Sequence, residues 1–159
     1  EDIILSVPLL YKMILSESIP RELLEFREEI EITMMRMAIK NANKEDILNI
    51  KKVHREFKDY IDSRQRDVNM LSELDYGFHL KVSESTKNRY YQQLYLFTME
   101  LFLPLITNNY AIGQDPEESY DVHDIMLKII ETRDYNNIEE GVKAMVATWG
   151  NWVFKEHDR

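Results

Sequence analysis

Apolar residues recur along this chain at spacings of three and four, and almost never in strict alternation. Positions three and four apart share one face of a helix, so the pattern predicts amphipathic helices that each bury one stripe. Leu23, Leu24, Phe26, Ile30, Met34, Met37 and Ala38 form the first stripe, on a helix expected from Pro20 to about Lys40. Proline is tolerated in a first turn, and Glu22 suits the positive end of the helix dipole. Asn43 ahead of Glu45 and Asp46 predicts a capped second helix over about 44–62, with Ile47, Ile50, Val53, Phe57, Tyr60 and Ile61 inward. A third helix is expected over about 67–85. A fourth, over about 89–107, is capped by Asn88 and should kink where Pro104 meets the carbonyl of Glu100. Residues 108–114 read as a loop. Asp115-Pro116-Glu117-Glu118 is the clearest helix start in the chain, opening a fifth helix to about Glu131. A sixth follows a turn at Asp134 or Tyr135 and carries Ile138, Val142, Met145, Trp149 and Trp152 on one stripe. Ahead of these, Ile3, Ile4, Leu9, Leu10, Met13 and Leu15 predict a linker with a short helix from about Pro8, packed on the domain or on a partner. No strand pattern competes. The expected fold is all-α: an antiparallel bundle of six to seven helices over residues 19–159, behind a linker of residues 1–18.

Composition sharpens this picture. Only four Gly and four Pro occur in 159 residues, too few for a sheet with many turns, and the length suits one domain with a substantial core. The absence of Cys excludes disulfides and thiolate metal sites. No apolar run is long enough to cross a membrane and no signal peptide is visible, so a cytoplasmic location without membrane partners is expected. Acidic residues number 29 against 20 basic ones, a net charge of −9 with no basic footprint for phosphates. The chain begins at Glu1 without Met, which suggests a piece of a longer protein whose other domain carries a different activity.

Candidate chemistry concentrates in the third helix, in the stretch LSELDYGFHL from Leu71 to Leu80. Asp75 and His79 are four residues apart on one helical face, beside an apolar stripe of Leu71, Leu74, Phe78 and Val82. An i, i+4 pair of this kind ordinarily lies on a helix surface. Here the adjoining stripe would bury both groups, which then must bond to each other, reach water in a cavity, or hold a metal ion. Gly77, in the middle of this helix, points away from both and reads as a close-packing point for another helix. His54 lies among charged neighbours and His157 in a polar tail, so both are expected to be solvated.

The order of these parts resembles the FCD domain, the effector-binding C-terminal domain of FadR-subfamily regulators in the GntR superfamily of transcription factors. The resemblance rests on Leu23-Leu24-Glu25-Phe26-Arg27-Glu28-Glu29-Ile30-Glu31 in the first helix and on Asp75-x-x-Phe78-His79 in the third. It extends to the turn Ser83–Asn88, to His123 in the fifth helix, and to Val142-Lys143-Ala144-Met145 in the sixth. Metal-binding members of that family use an Asp and a His of the third helix and one His from each of the last two. The resemblance therefore implies Asp75, His79 and His123 as ligands of a divalent ion such as Zn, Ni or Mn, with Met145 at the fourth position. A thioether is a poor ligand for these ions beside imidazole. Three ligands still bind when water or an effector carboxylate completes the shell. The acyl-CoA-responsive branch lacks the metal, and Asp75 would then simply orient His79. Arg27 has two readings: an i, i+4 surface pair with Glu31, or, by the resemblance, a bidentate fork for an effector carboxylate.

The function this implies is non-enzymatic. It is an effector-sensing, homodimeric regulatory domain that binds an organic acid, a sugar acid or an acyl-CoA and reaches DNA only through a winged-helix domain outside this chain. A metal-dependent helical-bundle enzyme acting on a small acid is the alternative, and needs a general base and a water-excluding lid beside the ion. With a charge of −9, the isolated chain should show no salt-sensitive binding to arbitrary duplex DNA at physiological ionic strength, as an electrophoretic shift assay would read.

Overall fold

The computed structural model describes residues 20–153, and the apolar stretch at residues 3–15 and His157 lie outside them. Six helices make up the described chain: α1 (Pro20–Asn41), α2 (Lys44–Asp62), α3 (Val68–Ser85), α4 (Arg89–Ala111), α5 (Pro116–Thr132) and α6 (Ile138–Val153). There is no strand among the described residues. The all-α bundle expected from the apolar period is what forms.

Local chemistry sets the helix starts. Asn43 and Asp46 make a reciprocal capping box at α2, each side chain accepting from the other's backbone N–H at 2.9 and 2.8 Å. Asp67 accepts from the N–H groups of Asn69 and Met70, Asn88 from that of Tyr91, and Asp115 from that of Glu117 with Pro116 just inside α5. Of the helices adjacent in sequence, α2 packs on α3, α3 on α4 and α5 on α6, and α2 also packs on α5. The last helix, α6, returns to pack on α1, and α1 also lies against α3. The helices therefore enclose one core, whose members include Met34, Met35, Ile50, Phe57, Phe78, Met99, Phe102, Met126, Ile130 and Val142.

Polar clamps tie the helices where stripes alone would let them slide. Tyr91 Oη on α4 donates to the carbonyl of Ile30 on α1 at 2.6 Å, and Asn41 Nδ2 at the end of α1 donates to the carbonyl of Thr86 at 2.7 Å. Arg133, left-handed at the end of α5, sends its guanidinium to the carbonyls of Ile39 and Ala42 and satisfies acceptors at the end of α1. Trp152 Nε1 on α6 donates to Glu118 on α5 at 2.8 Å.

Two sequence expectations fail here. Residues 108–111 are the last turn of α4 rather than loop. Tertiary contacts hold that turn: Asn109 Nδ2 donates to the Trp149 carbonyl at 3.2 Å and Tyr110 is buried against α3. Gly77 is not a close-packing point, because a Cβ built there meets nothing within 4 Å. The tight approaches are at Gly141, where a Cβ would lie 2.6 Å from Ile129 Cδ1, and at Gly150, 3.0 Å from Leu24 Cδ2. Gly77→Ala should therefore raise stability by about 0.5–1 kcal/mol through helix propensity and unfolded-state entropy. Gly141→Ala should lose that gain to the overlap with buried Ile129, and urea-unfolding midpoints of the two variants check the contrast.

Candidate metal and effector site

Helical spacing brings Asp75 and His79 to the same inward face of α3. The packing of α5 on the bundle brings His123 to meet them, and all three are buried. His79 Nε2 lies 3.2 Å from His123 Nε2, and Asp75 Oδ1 lies 3.7 Å from each of those nitrogens. The centre of this near-regular triangle is about 2.1 Å from every corner, the length of a Zn–N or Zn–O bond. Two imidazole nitrogens and a carboxylate oxygen therefore fit a divalent ion without movement of the backbone, and the three residues could hold one.

Outer contacts hold two of the three. Tyr110 Oη on α4 donates to Asp75 Oδ2 at 2.6 Å. Tyr110 has only one proton, so the 2.9 Å contact between its oxygen and Ser119 Oγ uses the serine's. Gln114 Nε2 in turn donates to Ser119 Oγ at 3.2 Å. On the other flank, His79 Nδ1 lies 3.0 Å from Tyr95 Oη, which donates to Glu31 Oε1 at 2.9 Å. His123 is held differently: it stacks on Phe78 at 4.2 Å and touches Phe57, and its Nδ1 has no hydrogen-bond partner.

Electrostatics favour neutral rings. Burial pushes His79 well below the ordinary imidazole range, helped by His123 and Arg27. Burial also takes His123 down to about 4, against the pull of Asp75. Both rings are thus neutral at neutral pH, and each carries one lone pair that an ion can use. Burial raises Tyr95 and Tyr110 well above the usual phenol range, so both remain protonated donors.

Arg27 is the largest fully buried side chain among the described residues. Its pair with Glu31, 3.8 Å from Nε to Oε1, is an interior pair and not the surface one that helical spacing alone suggests. Its guanidinium carbon sits 4.3 Å from the Trp149 ring and 5.0 Å from that of Phe102, a cation held by aromatic faces. Arg27 Nε and Nη1 have no hydrogen-bond partner, nor does Glu31 Oε2. Unpaired buried donors are costly and are uncommon where no ligand is meant to meet them. Arg27, Asp75, His79, His123, Met145 and Trp149 are among the residues lining one cavity of about 20 Å³, room for a water or an ion. An outer groove between α5 and α6, bounded by Glu118, Asp121, Asn151 and Trp152, shares Val122 and Thr148 with that cavity.

The family model of the FCD domain matches residues 22–148, well over half of the chain. This chain is an FCD domain. FCD domains are the C-terminal effector-binding domains of GntR-family regulators, so this is a regulatory domain. No curated protein sequence matches it. Among the described residues no helix is long and apolar enough to cross a membrane.

Sequence reasoning misplaced two side chains of this FCD domain and overlooked others. His54 is buried rather than solvated. It stacks on Tyr120 at 4.1 Å, faces Asp124 at 3.5 Å, and burial lowers its pKa. The charged neighbours in sequence point outward because α2 presents its apolar stripe, and His54 with it, to α5. Glu31 is buried as well, and desolvation outweighs Arg27 to raise its pKa to about 7. Tyr95, Tyr110, Gln114 and Ser119 carried no local signal, since only the crossing of α3, α4 and α5 joins them to the cluster.

The pH dependence follows from these shifts. Glu31 titrates near 4.5 when unfolded and at about 7 in the fold, so across that interval the folded chain holds the extra proton. Its contribution makes stability fall as pH rises from about 4.5 to about 7. His79 and His123 act in the opposite sense, because their neutral folded forms lose stability as pH drops below 6.5. Glu31→Gln removes only the first slope. Its stability relative to wild type should climb by about 3 kcal/mol between pH 4.5 and pH 8, measured by urea unfolding at both ends.

Proposed function

We propose that this FCD domain senses a small metabolite bearing a carboxylate, which Arg27 and a divalent ion on Asp75, His79 and His123 bind together. The observation that carries the reading is the sharing of one small cavity by a buried guanidinium with unpartnered nitrogens and by a triangle of metal-type donors. A carboxylate meets the guanidinium as a charge-assisted fork and can give an oxygen to the ion. The ion supplies positive charge and an open coordination position. The chain's own groups orient the donors through Tyr110 and Tyr95 and exclude water with Phe57, Phe78 and Trp149. Met145 lines the cavity where the family's usual fourth ligand stands, which leaves that position to the effector.

The cavity's size supports a signalling role. About 20 Å³ accommodates an ion or a water, and an organic acid of several heavy atoms requires its walls to separate. The walls that separate belong to different helices, with Arg27 on α1 and Met145, Thr148 and Trp149 on α6. An effector that binds only the separated arrangement shifts the population toward it. In the full regulator, this domain forms a homodimer and passes that change to an N-terminal winged-helix domain of the FadR-subfamily type.

Calorimetric titration with Zn²⁺, Ni²⁺ and Mn²⁺ tests the metal. Wild type should bind at least one of them, His79→Ala none, and Met145→His more tightly than wild type, with affinity held through pH 6.5 and falling as the pH approaches about 4, where His123 takes up a proton. Equal binding by wild type and His79→Ala, or none by either, overturns the metal reading.

A further inference from the structure

The two imidazoles pose a proton question that the surrounding groups answer on one side. A neutral imidazole carries one N–H and one lone pair, so the 3.2 Å contact between His79 Nε2 and His123 Nε2 is attractive only when one of them holds the hydrogen. When Glu31 is ionised, Tyr95 Oη gives its single proton to Glu31 Oε1, and so its oxygen can only accept from His79 Nδ1, 3.0 Å away. His79 is thereby an Nδ1–H donor with a bare Nε2. His123 Nδ1 meets no partner, so His123 keeps its hydrogen on Nε2, where it donates to His79.

We propose that Glu31, acting through Tyr95, fixes His79 in the Nδ1–H tautomer that presents a lone pair to the three-donor centre, while His123 must move its hydrogen from Nε2 to Nδ1 before it can ligate an ion. The second half rests on the metal reading given above. No net charge changes in the step: the proton leaving Nε2 goes to solvent and one from solvent binds Nδ1. The stack on Phe78 and the contact with Phe57 hold the plane of the ring, so the hydrogen moves and the ring does not. The new Nδ1–H of His123 faces no acceptor, whereas that of His79 is met by Tyr95. The two histidines are therefore unequal ligands. Tyr95 and Glu31 are positioning residues, since neither provides a corner of the donor triangle.

Long-range proton–nitrogen spectra of ¹⁵N-histidine-labelled protein, recorded without metal and with Zn²⁺, read both tautomers directly. Without metal at pH 8 and above, where Glu31 is ionised, His79 should be Nδ1–H and His123 Nε2–H. With Zn²⁺, His79 should be unchanged and His123 should become Nδ1–H. Tyr95→Phe removes the acceptor at 3.0 Å and leaves Glu31 Oε1, 3.6 Å from His79 Nδ1 and beyond hydrogen-bond reach, so His79 should lose its single tautomer and Zn²⁺ affinity should fall by about 10–100-fold, with helical circular dichroism retained. The wild-type spectra decide even if that variant does not fold: an Nε2–H His79 in metal-free protein overturns the relay. A single Nδ1–H tautomer surviving in folded Tyr95→Phe overturns it as well. Wild type that binds no Zn²⁺ overturns the His123 step and the metal reading, while the metal-free His79 signal still upholds or overturns the relay.

Discussion

The interior of this bundle is organised by charge that has no water. Arg27, Glu31, Asp75, His79 and His123 all lie within the apolar core, where an unpaired charge is far costlier than on the surface. The fold meets that cost in three ways. Aromatic faces of Trp149 and Phe102 cover the guanidinium. The phenols of Tyr95 and Tyr110 on α4 donate to carboxylate oxygens of Glu31 and Asp75. Desolvation removes charge from the histidines and moves Glu31 toward its neutral form.

What these devices leave unsatisfied is informative. Two guanidinium nitrogens of Arg27, one oxygen of Glu31 and one nitrogen of His123 have no hydrogen-bond partner. A core built only for stability would replace such groups by apolar side chains of similar volume at little loss or even a gain. Arg27 and His123 among them line one small cavity, which fits a domain whose interior is completed by a ligand. The same feature links ligand to architecture, because the polar cluster joins α1, α3, α4, α5 and α6 by direct contacts. A charged molecule entering there acts on the bundle as a whole.

The helices were legible because each one is dictated locally. The 3.6-residue period marks the buried stripes, and Asn43, Asn88 and Asp115 announce three of the starts through side-chain acceptors that their own neighbours need. The pairing of Asp75 with His79 was equally readable, since one turn of helix is all it requires. His123 entered the candidate site through family resemblance. Its side chain is brought to the others by the packing of α5, which no local spacing encodes.

The remainder belongs to tertiary structure for the same reason throughout: burial and partnership are properties of crossings between helices, and a one-dimensional pattern records only one helix at a time. His54 looks solvated among its charged neighbours yet faces α5, and Glu31 looks like the outer half of a surface pair yet lies at the centre. Gly77 seems placed for close approach, while the approach is made at Gly141 and Gly150. The last turn of α4 forms because Asn109 and Tyr110 find partners on α6 and α3. The sequence by itself determined an all-helical chain with acid and imidazole on one face of α3. Only the packed bundle decided which of its polar groups lose water, because desolvation depends on what the other helices cover.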